Sequence, residues 1–259
     1  MAETSAAARL VLVPAPLDFG LPESQWVDLQ AVLPHEVLQV AAGLEHWIAE
    51  NAKTARAFLK RVDRLVPLAR PLQQVQIVEL PRPPKGRGGQ APAPHWPALL
   101  DPLRAGHAVG LVSEAGLPAL ADPGAEVVRA AHAAGWPVQV LAGPSSLALA
   151  VSASGLNGQS FAFVGYLPVD SGERGRQLRE LEAHSRRWRQ TQLMIETPYR
   201  NPALLEALLR DLAPTTRLSV SCSLTLPDAW TRTASVQEWR RQPGVLPADR
   251  PAVFAFLAS

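Results

Sequence analysis

Hydrophobic and polar positions along this chain follow two rhythms, separated by loops of glycine, proline and small residues. Short apolar or apolar-rich segments at residues 10–13, 75–80, 109–112 and 138–141 predict strands, and the run at 109–112 is of the kind expected for a buried parallel strand. Longer stretches with apolar residues three and four apart predict helices over 37–50, over 53–62 through Phe58, Leu59 and Val62, and over 98–104. The most informative unit runs from 109 to 155. Within it Asp122-Pro123 supplies an acceptor cap and a ring preset for the first helical position. Val127, Val128, Ala131 and Ala134 then form an apolar stripe, and Gly135 ends it. Strand, crossover helix and strand within about thirty residues make a βαβ unit. Ligands of such sheets sit beyond the carboxyl ends of the strands. Those ends open here into Ser113-Glu114-Ala115-Gly116-Leu117-Pro118 and Ala142-Gly143-Pro144-Ser145-Ser146.

The second half repeats the alternation. An aromatic-rich strand is predicted over 161–167, a charged helix over 174–189, and a strand over 191–196. Asn201-Pro202 then opens a helix with Leu204, Leu205, Leu208, Leu209 and Leu212 on one face. Strands at 218–222 and 252–257 follow. A polar stretch at 157–160 separates the halves, so the predicted fold class is α/β, with domains 1–157 and 158–259. Residues 81–97 hold six prolines and three glycines and read as a surface loop. Gly86-Arg87-Gly88-Gly89 lacks the flanking strand and helix that a phosphate loop requires.

Composition narrows the function classes. Charged residues make up 19% of the 259 positions and the formal net charge is +2, too small by itself to imply nucleic-acid binding. The single cysteine, Cys222, forms no internal disulfide and lies in an apolar alternating run, as a buried inert thiol does. Six scattered histidines show no metal-ligand spacing, so no metal is expected. The first residues lack a secretory pattern, and no apolar run approaches the roughly 18 residues of a membrane span. A soluble cytoplasmic protein without a membrane partner is the expectation. Arg174, Arg176, Arg179, Arg186, Arg187 and Arg189, with Trp188 beside them, have two readings. They grip phosphates and stack a base, or they belong to a solvated helix partly ion-paired through the interleaved Glu173, Glu180 and Glu182. Trp230 and Trp239 read as core or subunit-contact residues.

The block VSEAGLPALADPG, followed by LAGPSS and then SASGLNGQSFAFVGYLP, resembles the tetrapyrrole (corrin/porphyrin) methylase family, in particular its ribosomal RNA small-subunit methyltransferase I group and an uncharacterised sister group. The likeness extends from LVLVPAP to the end of the chain. It implies two α/β domains with a cofactor cleft between them, a homodimer, and S-adenosylmethionine as the bound cofactor. By position, the cofactor-binding residues implied are Pro16, Leu17, Glu114, Ala115, Gly116, Leu117, Gly143, Pro144, Ser145, Ser146 and, from the second domain, Met194. Glu114 and Glu196 are candidate catalytic carboxylates, and Lys53, Tyr199 and Arg200 candidate substrate contacts. Asp18-Phe19-Gly20 and Asn51-Ala52-Lys53 depart from the ribosomal RNA group on the acceptor side. Three functions follow: methylation of ribosomal RNA at a ribose 2′-oxygen or a base, methylation of a small tetrapyrrole-like molecule, or cofactor binding without catalysis.

Small residues suit this chemistry. Methyl transfer from a sulfonium is an in-line displacement, accelerated chiefly by holding donor and acceptor in line. Gly116, Gly143, Ser145 and Ser146 leave main-chain groups open to a ligand, and Ser145 or Ser146 equally suits a helix cap.

Overall fold

The computed structural model describes residues 8–18, 20–81 and 96–259. Gly86 to Gly89 and Phe19 lie outside the described residues. The chain forms two compact units, Met1–Pro144 and Ser145–Ser259.

In the first unit, β1 (Leu10–Leu12), β2 (His46–Ala49), β3 (Gln76–Glu79), β4 (Val109–Val112) and β5 (Val138–Val140) form a sheet in the order β3-β2-β4-β1-β5. Every pair in it is parallel. Its helices are α1 (Leu29–Val32), α2 (His35–Gly43), α3 (Ala52–Asp63), α4 (Asp101–Arg104) and α5 (Gly124–Ala133). Val11, Val13, Trp47 and Ala49 pack against Leu38 and Ala41 of α2 and Phe58 and Leu59 of α3. Leu10, Leu12, Ile48 and Leu111 point the other way, onto Leu103 of α4 and Val127 and Ala131 of α5. Burial on both faces is the physical reason the central strands β1 and β4 carry no polar side chain, whereas the edge strands β3 and β5 are more exposed and keep Gln76, Glu79 and Gln139.

One expected element divides. The helix expected over 37–50 stops at Gly43, and residues 46–49 are β2. Trp47, Ile48 and Ala49 continue an apolar run that suits either conformation, and pairing with β3 and β4 decides for the strand. The helix expected over 98–104 is a 3₁₀ turn, Trp96–Leu100, running into α4.

In the second unit, β6 (Phe161–Phe163), β7 (Thr191–Ile195), β8 (Arg217–Cys222), β9 (Trp230–Ser235) and β10 (Ala252–Leu257) lie in the order β6-β7-β10-β8-β9. Only β6 and β7 are parallel. Helix α6 (Ser146–Ser154) covers one face, where Leu147, Ala150 and Val151 meet Leu193, Val253 and Ala255. Residues 146–154, placed before the expected domain boundary at 157, therefore belong to the second sheet. The other face carries α7 (Ser171–Trp188), α8 (Asn201–Asp211) and α9 (Val236–Arg241) around Met194, Val220, Phe254 and Phe256. Trp239 is wholly buried there and donates its indole N–H to the Leu218 carbonyl at 2.9 Å. The aromatic strand expected over 161–167 ends at Phe163, and β9 was not anticipated.

Candidate functional site

In the first unit the chain order reverses between β1 and β4. The helices that follow β1 cover one face and α5, which follows β4, covers the other, which is where open α/β sheets bind ligands. Three loops leave this edge and meet. Ala15 and Gly116 exchange two main-chain hydrogen bonds, Ala15 N–H to Gly116 at 2.9 Å and Gly116 N–H to Ala15 at 3.0 Å. Gly116 has φ +72°, a conformation that L-residues rarely adopt. A methyl group added there would lie 3.3 Å from Leu17 Cδ2 and 3.4 Å from the Pro144 carbonyl. The segments after β1, β4 and β5 thus converge on one bare stretch of main chain. Pro16 is buried, Leu17, Glu114 and Leu117 half-buried, and Ala115 exposed.

Gly143 serves the same convergence differently. A Cβ at this position would stand 2.3 and 2.4 Å from the Pro14 ring carbons. The missing side chain lets the end of β5 close on the end of β1.

Two carboxylates support the β4 loop, and the sequence reading missed the first of them. Glu50, just past β2, accepts the Glu114 main-chain N–H at 2.8 Å. Burial, with Asp122 and Glu114 nearby, pushes its carboxyl above the ordinary range, against the stabilising N–H from Glu114. Asp122 accepts from Gly124 N–H at 2.6 Å and Ala119 N–H at 3.1 Å, and burial raises its carboxyl too. Asp122 thus meets the first helical N–H from one residue ahead of the cap, which falls on Pro123 rather than on Asp122 as expected. It also holds the preceding loop, in which Ala119 and Ala121 are left-handed at φ +66° and +67°. Asp18 is anchored by Arg61 of α3 through two hydrogen bonds, 3.1 and 2.9 Å, with side-chain exposures of only 5% and 11%. It also accepts Val27 N–H at 3.0 Å, and Arg61 lies 4.8 Å over the Trp26 ring. Only spatial contact joins Asp18 to Arg61, so no local pattern announces the pair.

Other expected site residues are placed as follows. Lys53 is exposed in the first turn of α3, whose cap is the Asn51 side chain. Ser145 caps α6, accepting Ala148 N–H at 3.4 Å, and Ser146 is its first residue. Met194 is fully buried in the core of the second unit, so its side chain is no cofactor wall. Glu196 pairs with Arg200 at 3.0 Å and accepts Thr197 N–H at 2.8 Å. Tyr199 is 72% exposed.

Residues 36–239 match the model of the Tetrapyrrole (Corrin/Porphyrin) Methylases. The chain belongs to this family. It is 40% identical over 111 residues to Ribosomal RNA small subunit methyltransferase I of Vibrio cholerae, covering 43% of this chain and 37% of that one. The protein of the same name from Coprothermobacter proteolyticus is 34% identical over 128 residues, covering 49% and 55%. The chain thus spans about half or less of the length of these curated relatives. Among solved structures, the native form of uroporphyrin III C-methyltransferase from Thermus thermophilus superimposes with a TM-score of 0.55 at 18% identity, over 96% of this chain and 97% of that one. A crystal of that enzyme complexed with S-adenyl homocysteine gives 0.52 at 20% identity, with the same coverage. These two likenesses establish the methylase fold.

Proposed function

We propose that this protein is an S-adenosylmethionine-dependent methyltransferase acting on ribosomal RNA, at a ribose 2′-oxygen or a base. The observation that carries the cofactor half is the convergence of three loops on Gly116, a main-chain cradle that one Cβ would begin to fill. The names of the relatives in Vibrio cholerae and Coprothermobacter proteolyticus support the acceptor. When bound, the cofactor supplies an electrophilic methyl group on a sulfonium. The chain's own residues do the rest.

The Ala15–Gly116 hydrogen-bond pair and the Gly143–Pro14 contact fix the cradle before any ligand arrives, which lowers the cost of orienting it. Pro16, Leu17 and Leu117 offer apolar surface, the main chain of Ala115, Gly143, Ser145 and Ser146 offers donors and that of Pro144 an acceptor. Gly116, whose own N–H and carbonyl are taken by Ala15, contributes the space a side chain would fill. Glu114, half-buried at the same edge, offsets positive charge and takes a proton from a hydroxyl acceptor. Glu196, oriented by Arg200 and Thr197, is the candidate second carboxylate. Lys53, Tyr199 and Arg200 are candidate acceptor contacts. A homodimer in the cytoplasm completes the proposal; no helix among the described residues is long and apolar enough to cross a membrane.

Calorimetry with S-adenosylmethionine tests the cofactor, and methyl-labelled cofactor with small ribosomal subunits or with small-molecule extracts tests the acceptor. Heat of binding and label in the subunits are expected. Label only in the extracts removes ribosomal RNA as the acceptor, and absence of binding at millimolar cofactor removes the whole reading.

A further inference from the structure

Helix α7 ends in a cluster that neither its packing nor the cradle explains. From 183 to 195 the chain has no acidic residue, while His184, Arg186, Arg187 and Arg189 surround Trp188. Glu182, the last carboxylate before the cluster, is buried and turned inward. It accepts Ala213 N–H at 2.8 Å and the Thr216 hydroxyl, so it does not neutralise the arginines. Arg176, Arg179, Arg187 and Arg189 pair with no carboxylate among the described residues. The end of the helix is solvated, as one of the two readings expects, but the interleaved Glu173, Glu180 and Glu182 form no ion pair with these arginines among the described residues.

Trp188 is 58% exposed. The Arg187 guanidinium sits 5.1 Å from its ring centroid, and the His184 ring lies 6.3 Å away, tilted by 44°. Arg189 is the C-cap at φ +50° and ψ 40°, left-handed, where glycine is the residue of least strain. Its main-chain carbonyl is held by the Asn157 amide at 2.6 Å, while its side chain is exposed. Cations at a helix C-terminus favour the dipole. That accounts neither for an exposed tryptophan nor for an arginine where glycine would relax the cap.

We propose that the end of α7 is a docking surface for single-stranded RNA, with a base stacked on Trp188 and phosphates held by Arg187 and Arg189. Arg186 is engaged by packing, donating from Nε to the Ser259 main-chain oxygen at 2.8 Å. Exposed aromatic faces among guanidinium groups suit unstacked bases on a flexible phosphate chain, whereas a duplex keeps its bases stacked inside. The proposal rests on the ribosomal RNA reading above and names a surface of the second unit that would hold the acceptor strand.

Fluorescence anisotropy with a labelled RNA of about 12 nucleotides tests it on the full chain. Trp188→Ala is expected to weaken binding about tenfold. Arg189→Gly is expected to weaken binding and to shallow the slope of log K against log salt by about 0.7. The same variant is expected to raise the thermal midpoint, because glycine relaxes the left-handed cap. Weaker binding by a more stable protein is a pairing that a merely structural role does not give. Calorimetry with S-adenosylmethionine runs in parallel and should read the same in both variants. No cofactor heat with RNA binding lost in the variants defeats the methyltransferase reading and leaves the surface standing. Unchanged RNA affinity in both variants overturns the surface, as does a wild-type protein that ignores RNA or prefers anionic lipid vesicles.

Discussion

Replacing Gly143 with alanine sets a methyl group against the Pro14 ring. Its carbon would begin 2.3 and 2.4 Å from two ring carbons, against the roughly 3.5–4.0 Å of a comfortable carbon contact. Neither partner moves cheaply. The proline ring has no rotamer to swing into, and β1 lies between β4 and β5, tied by Val13 N–H to Leu111 at 2.9 Å and Leu141 N–H to Leu12 at 3.1 Å. The main chain at 142–144 must therefore retreat by more than about 1 Å, for which overpacking costs in well-packed sites give about 2–3 kcal/mol. Thermal unfolding would register this as a fall of roughly 5–10 °C in the midpoint. Cofactor affinity would fall as well, because Pro144 leaves its place beside Gly116. Gly116→Ala supplies the contrast. Its nearest new neighbour is the flexible end of Leu17 at 3.3 Å, so the cost is the left-handed strain of about 1–2 kcal/mol. Its methyl group lies in the cradle itself, so affinity should suffer more than stability. A Gly143→Ala protein within about 0.5 kcal/mol of wild type in urea unfolding would refute the close contact between β1 and β5.

Further expectations concern groups outside that contact. Asp18→Ala leaves Arg61 buried without its carboxylate and should cost about 3 kcal/mol in urea denaturation, whereas a loss below about 1 kcal/mol would mean the pair is solvated. Burial raises the Glu50 carboxyl above its ordinary 4.5, so the folded state holds that proton more tightly than the unfolded one. Stability from this group is present below 4.5 and lost as pH rises above it; Glu50→Gln should flatten that decline, and parallel wild-type and variant curves would contradict the burial argument. Asn51→Ala removes the acceptor of Lys53 and Thr54 N–H at the start of α3 and should cost about 1 kcal/mol, read from the same unfolding curves. Cys222 is buried, and desolvation pushes its thiol up, so a thiol-reactive dye should label it only on unfolding; rapid labelling of the native protein would place it at the surface.

Elements with strong local signals were legible in the sequence. The β4–α5–β5 unit carries its own punctuation, Asp122 before the helix and Gly135 at φ +75° after it, and it forms where expected. The leucine face of α8 likewise needs no distant partner to be recognised. Strand β2 was illegible because its apolar run suits helix and strand alike until β3 and β4 pair with it. Strand β9 is half-buried at every position and shows no alternation to read. Sheet polarity was equally hidden. Alternating strands and helices produce all-parallel pairing in the first unit and mostly antiparallel pairing in the second.

The same division runs through the site. By itself the sequence determined which main-chain segments are bare, because glycine, proline and serine act within a few residues of their own position. Tertiary structure alone decided what those bare segments meet. Gly143 faces Pro14, Gly116 faces Leu17 and Pro144, Glu50 holds Glu114, and Arg61 holds Asp18. Each of these partners lies far along the chain, and pairwise contacts between distant residues leave no periodicity in either one's neighbourhood. Met194 shows the converse: a side chain that position alone assigned to a ligand is enclosed by the core that forms around it.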